Sequence, residues 1–172
     1  AEVFALRQAG AQAKHATAYV TLEPCSHQGR TPPCVDALIN AEVARVVIAM
    51  QDPNPVVSGR GIHKLHDADI EVRVGLFETA ARQLNPGFIH RMQTQLPYVR
   101  VKLASSLDGR TALSNGVSQW ITGGAARADV QVWRAQADAI LTGADTVLVD
   151  NPRLNVRPEQ WPDGIEKPLF FK

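Results

Sequence analysis

The run RVVIAM at positions 45–50 constrains the fold most strongly. It is short and continuously apolar after its first residue, with no alternation. That is the pattern of a strand buried on both faces, as in a parallel sheet covered by helices. Its neighbours agree. VDALINAE (35–42), entered through Pro32-Pro33, reads as a helix, with Pro33 near its first turn. ATAYVTLEP (16–24) is β-branched and aromatic until it meets a proline, which suits a strand. QDPNPVVSGRG (51–61) is a loop by its prolines and glycines. IHKLHDA (62–68) then reads as helix and IEVRVG (70–75) as strand. Residues 2–9 place Val3, Phe4, Leu6 and Ala9 on a helical period that stops at Gly10. Helix and strand alternate, so the expected class is α/β with a mainly parallel sheet.

FETAARQL and FIHRMQTQ form a helical stretch interrupted at Pro86-Gly87, and Leu96-Pro97 ends it. A domain boundary is expected near residue 95, giving domains 1–95 and 96–172. Beyond it, 98–106 alternates as a strand does, Asp108-Gly109 marks a hairpin turn, and 125–137 reads as a helix. A strand at 139–143 and a helix at 144–152 stopped at Pro152 follow. The chain opens AEVFALRQAG, without Met and within a helical pattern, and closes KPLFFK, which reads as a strand beginning. Natural termini lie mostly in loose polar segments. The expectation is therefore a portion of a longer protein, with exposed sheet edges and apolar faces.

Charge narrows the function. Among 172 residues, 18 are Lys or Arg and 17 are Asp or Glu, a net charge of +1. No basic cluster suits a nucleic-acid groove. No stretch approaches the roughly 18 apolar residues of a membrane span, and no basic-then-apolar leader marks secretion. The expected setting is the cytoplasm, where the two cysteines are better read as free thiols or metal ligands than as a disulfide.

Both cysteines lie in TLEPCSHQGRTPPC (21–34). Taken alone, Cys25 and Cys34 are equally compatible with two buried apolar side chains. Their context favours metal. Cys25 follows Pro24 at the end of a strand, and Cys34 begins a helix, where N–H groups and the macrodipole favour a thiolate. Zinc deaminases place a His ligand, a spacer and a non-ligand Glu upstream of Pro-Cys and a second Cys. Ala1-Glu2 would be the last two residues of a His-Ala-Glu triplet, with the His immediately before Ala1. Glu2 alone is also compatible with a solvated carboxylate in a first helical turn. The eight-residue spacing departs from the usual Cys-x-x-Cys.

TLEPCSHQGRTPPC, QDPNP and KLASSLDGRTA (102–112), in that order, resemble the bacterial bifunctional deaminase–reductase family of riboflavin biosynthesis. The resemblance covers essentially the whole chain. It implies a cytidine-deaminase-like three-layer αβα domain, here N-terminally truncated. The start of a dihydrofolate-reductase-like α/β domain would follow. It implies Zn2+ on Cys25 and Cys34, with Glu2 shuttling protons during hydrolytic deamination of a diaminopyrimidinone ribosylamino 5-phosphate. NADPH would then reduce the ribosyl group to a ribityl chain. His27 and Arg30, between the cysteines, could meet the substrate or remain solvated. His27 as third zinc ligand is disfavoured, because it is two residues from Cys25 and would leave Glu2 away from the metal.

By the same resemblance, Ala104, Trp120, Thr146 and Asp150 fall on nicotinamide-cofactor positions. Ser118, Arg134, Leu154 and Arg157 fall on substrate positions. Lys102 and Asp150 would place charge near the sugar. Trp120 as plain core and Arg134 as an exposed, acid-paired helix residue are the bland alternatives. No GxGxxG is present, so a Rossmann site is not supported. The partner class is a small pyrimidine ribonucleotide-like molecule, compatible with a homo-oligomer. The chain by itself is expected to bind zinc weakly and to be inactive. Two alternatives remain open: a non-catalytic zinc-binding or structural module, and a nucleic-acid deaminase relative.

Overall fold

The computed structural model describes residues 1–29 and 32–166. Two compact units emerge, Ala1–Arg100 and Val101–Lys172. The first carries the sheet. Helix α1 (Glu2–Ala9) leads through a short 3-10 turn into β1 (Thr17–Val20). Helix α2 (Cys34–Asn40), β2 (Arg45–Ile48), α3 (Arg60–Asp67) and β3 (Glu71–Val74) follow, then α4 (Glu78–Leu84) and α5 (Pro86–Thr94). The strands lie in the order β1-β2-β3, all parallel. Val46 faces Ala18 and Val72 across the ladder, and Ile48 faces Val20 and Val74.

The apolar run at 45–50 has the burial expected of it. Val46, Val47 and Ile48 are all buried, although the pleat sends Val47 to the opposite face from the other two. Val35 and Leu38 of α2 and Leu65 of α3 close over Val46 and Ile48, with Val43 and Ile70 at the strand entrances. Each such side chain contributes about 1.5–3 kcal/mol by leaving water. Leu6 of α1 packs against this cluster. A smaller core joins Met50 to Ala81 of α4 and Ile89 of α5. Pro86 is the first residue of α5, so the sequence interruption is a junction between two helices.

The second unit differs from expectation. Helix α6 (Gly124–Ala135) and helix α7 (Ala144–Asp150) form where helices were predicted, and a 3-10 turn spans Pro158–Gln160. The strands predicted at 98–106 and 139–143 do not form among the described residues. The Asp108-Gly109 turn is present, with Gly109 at φ 81° and the Ser106 amide donating to the Arg110 carbonyl at 2.8 Å. The flanking segments nevertheless find no ladder partner, and an extended segment without one gains no sheet hydrogen bonds. Val99, Val101 and Leu103 are consequently exposed. The strand read into KPLFFK falls at 167–172, outside the described residues, as do Arg30 and Thr31. Among the described residues no helix is long and apolar enough to cross a membrane.

Candidate metal and catalytic site

Three of the residues singled out in the first unit converge. Cys34 is the first residue of α2, and its amide donates to Cys25 Sγ at 3.2 Å. The next amide, Val35 N–H, donates to the Cys25 carbonyl at 3.2 Å. The end of the β1 segment is thereby tied to the N-terminus of α2 through one residue, Cys25. Helix α1 packs on α2 and carries Glu2, in its first turn, close enough to the Cys34 thiol for its carboxylate to act on it electrostatically. The Glu2 side chain is only 21% exposed, and the chain's amino group lies 3.5 Å from its carboxylate.

The electrostatics correct one expectation. A helix N-terminus was expected to favour a thiolate at Cys34. Burial instead pushes the Cys34 thiol up to about 12, with Cys25 and the Glu2 carboxylate adding to the shift. The physical reason is geometric. The N–H of Cys34 is directed at the other sulfur, while its own sulfur sits in a partly dry position beside a negative charge. A cation between the sulfurs would reverse that balance, since a metal ion dominates local charge and deprotonates a coordinating thiol.

The donor set fits zinc in part. Two neighbouring, half-buried thiols are the soft ligands zinc prefers, and neither is in a disulfide. Among the described residues no group of three or more His, Cys, Asp or Glu side chains is arranged to hold a metal ion. Cys25 and Cys34 thus supply two ligands, and the His expected before Ala1 lies outside this sequence. His27 is exposed in the inter-cysteine loop. Burial raises the nearby Asp52 carboxyl above its ordinary value, with the Glu23 charge adding and the Asn54 amide opposing.

Glu23 escaped the sequence reading. It is 3% exposed, and its carboxylate accepts the amides of Asp52, Gly59, Gly61 and Ile62. Its only sequence signal is a place immediately before Pro24-Cys25.

In the second unit, Arg134, Leu154 and Arg157 come together. Arg134 Nη1 donates to the carbonyls of Arg153 (3.3 Å) and Asn155 (3.0 Å). Burial and the neighbouring Arg157 lower the Arg134 pKa from its ordinary value. Arg134 and Leu154 line a cavity of about 280 Å3 with Ala137, Asp138, Ala139, Ile140 and Val156. Gln131, also missed, is buried on α6. It accepts the Arg157 amide at 3.0 Å and donates to Gln160 Oε1 at 3.2 Å. Trp120 is exposed rather than core, with the Arg127 guanidinium 4.5 Å above its ring. Thr146 and Asp150 lie one turn apart on α7, both exposed. Ala104 is half-buried, and Lys102 and Ser118 are exposed. Among the described residues no hydrogen bond or ion pair joins these to the Arg134 group.

Comparison with known proteins covers both units. Residues 1–50 match the family described as cytidine and deoxycytidylate deaminase zinc-binding region. Residues 97–167 match the RibD C-terminal domain. The riboflavin biosynthesis protein RibD of Escherichia coli is 64% identical over 157 residues, 91% of this chain and 43% of the relative. A solved Acinetobacter baumannii RibD structure superposes with a TM-score of 0.86 at 62% identity, covering 91% of this chain and 44% of that one. A Thermotoga maritima structure is 42% identical with a TM-score of 0.83, again over 91% of this chain and 44% of its own. That protein is a diaminohydroxyphosphoribosylaminopyrimidine deaminase/5-amino-6-(5-phosphoribosylamino)uracil reductase. The chain spans under half the length of these relatives. With both halves matched in the same order, the chain is similar over nine-tenths of its length to the RibD riboflavin biosynthesis proteins.

Proposed function

We propose that this chain carries part of the deaminase and part of the reductase of a bifunctional riboflavin-pathway enzyme. The observation that carries the reading is the Cys34 amide on the Cys25 sulfur, with Glu2 acting on the Cys34 thiol. Cys25 and Cys34 would hold a zinc ion, which when bound lowers the pKa of a water ligand toward about 7. Glu2 manages the protons. Its carboxylate accepts one from the attacking water and returns it to the pyrimidine ring nitrogen. It then helps the exocyclic amine leave as ammonia, a carbonyl taking the amine's place. The sum is one water consumed and one ammonia released.

In the reductase half, Arg134 and Arg157 are the pair suited to the 5-phosphate, and Leu154 lines the same cavity as Arg134. Ala104, Trp120, Thr146 and Asp150 are assigned to NADPH and Ser118 to substrate, with Lys102 and Asp150 supplying charge near the sugar. Hydride transfer to the ribosyl carbon would open the ring. Domains at 1–95 and 96–172 correspond to the two activities.

The test joins the segment preceding the matched region of the E. coli relative to Ala1. The fusion should bind zinc and release ammonia from the diaminopyrimidinone phosphate. In that background Glu2→Gln should keep the zinc and lose release by about 10²–10⁴-fold, whereas Cys25→Ser should lose both. A fusion that holds zinc and deaminates equally well with Gln at position 2 would sink the assignment.

A further inference from the structure

Glu23 links β1 to the opposite side of the site. Its Oε2 accepts the amides of Asp52 (3.2 Å) and Gly59 (2.9 Å), and its Oε1 those of Gly61 (2.9 Å) and Ile62 (3.4 Å). Its own amide donates to the Met50 carbonyl at 3.0 Å. Helix α3 has no side-chain cap from its N-cap residue, Gly59. The carboxylate therefore serves as that cap from a distant element, where negative charge is favoured. The contact is close on the backbone side too, because a Cβ on Gly61 would run into the Pro24 carbonyl oxygen. Cys25 follows at once and is held from the other side, its carbonyl by Val35 and its sulfur by Cys34. The Pro24–Cys25 peptide thus lies between the N-termini of α3 and α2, and Glu23 is its attachment to the first of them.

We propose that Glu23 is the positioning residue for Cys25: its buried carboxylate, fixed on the α3 N-terminus, sets where the Cys25 sulfur stands relative to Cys34. The proposal rests on the reading of Cys25 as a metal thiolate and goes beyond it, since Glu23 itself touches neither metal nor substrate. Supporting groups behind a metal ligand typically control affinity by 10–100-fold. In Glu23→Gln the NH2 group faces amide donors that the carboxylate accepted, so the turn must rearrange.

The test uses the full 172-residue chain. Metal-free protein is alkylated with iodoacetamide, with Cys25 and Cys34 resolved by peptide mass spectrometry. Co2+ is then titrated against a chelator, following the thiolate-to-cobalt absorption. Glu23→Gln should speed Cys25 alkylation and weaken Co2+ binding, each by about tenfold or more. Leu65→Ala, a core truncation on the buried side of α3, should lower thermal stability but leave both readouts within twofold of wild type. If Glu23→Gln does not fold, Glu23→Asp, which keeps the charge but is one methylene shorter, takes its place with the same expectation. Wild-type values of both readouts in the Glu23 variant overturn the proposal. So does reproduction of its effects by Leu65→Ala. The metal reading itself fails if the wild-type fusion described above shows no cobalt–thiolate band, while the alkylation rates of the 172-residue chain still decide the role of Glu23.

Discussion

The amide of Cys34 donates to the sulfur of Cys25 at 3.2 Å, while burial, with Cys25 and the Glu2 charge adding, pushes the Cys34 thiol up to about 12. The two cysteines are therefore unequal before any metal arrives. The thiolate is the reactive form. Alkylation of Cys34 in metal-free protein should rise about tenfold per pH unit up to pH about 11, with no plateau near the ordinary value of 9.0. Glu2→Gln removes a negative neighbour and should move the profile to lower pH. The stability consequence has a definite sign. The folded state holds the Cys34 proton more tightly than the unfolded chain, so stability is full below 9.0 and falls as pH rises toward about 12. A Cys34 profile that levels off at or below pH about 9 would contradict this enclosure.

Gly61 and Gly87 should respond oppositely to alanine. A Cβ at Gly61 meets the Pro24 carbonyl and the Glu23 side chain, both in the interior. Gly61→Ala should cost about 1–3 kcal/mol by overpacking. In a unit of this size that lowers the thermal midpoint on the order of 10 °C. At Gly87 the nearest contact is Tyr98 Cβ at 3.9 Å, ordinary van der Waals separation, and the residue lies in α5. Gly87→Ala should be neutral or stabilise by about 0.5–1 kcal/mol, because alanine loses less backbone entropy in a helix. Thermal unfolding followed by circular dichroism compares the pair, and equal losses would refute the packing described.

Legibility in the sequence followed the range of the interactions. β2 was readable because burial on both faces leaves a continuous apolar run at Val46, Val47 and Ile48. Glu2, Cys25 and Cys34 were readable because metal chemistry restricts residue types at each place. Glu23 was not, since its partners are backbone amides 29 to 39 residues away, and a backbone amide has no letter in a sequence. Gln131 was hidden for the same reason, its main acceptor contact being the Arg157 amide. The strands expected at 98–106, from alternation, and at 139–143, from an apolar run ending at glycine, do not form, because such patterns report only a segment suited to burial. They do not report whether a partner strand is present to pair with.

Gln131 offers a test of how the second unit holds its arginines. With the Arg157 amide on Gln131 and the Arg153 and Asn155 carbonyls on Arg134, residues 153–157 are fastened to α6 by backbone groups of both kinds. Gln131→Ala leaves the Arg157 amide without its partner. Its hydrogen exchange should accelerate about tenfold, as the loss of roughly 1.4 kcal/mol of protection implies, while amides of α1 to α3 keep their rates. Unchanged exchange at Arg157 would show that Gln131 does not carry the fastening.

The exposed apolar surface of the second unit predicts self-association. Leu103, Leu107, Leu141, Leu148 and Val149 are all at least 78% exposed, and α7 contains no buried residue. A seven-residue helix is well below the roughly 12–15 residues at which an isolated helix is marginal in water, so its apolar side chains are available to another surface. Exposed patches of this kind favour association. Sedimentation velocity across a concentration series should show the 172-residue chain forming larger species as concentration rises. Leu148→Glu should shift the distribution toward monomer, because a charge on α7 must be desolvated in any apolar contact. The same substitution should leave the first unit's thermal transition unchanged, Leu148 lying outside its core. A chain that stays monomeric at every concentration, or a Leu148→Glu variant that associates as wild type does, would show that this face is not the one that self-associates.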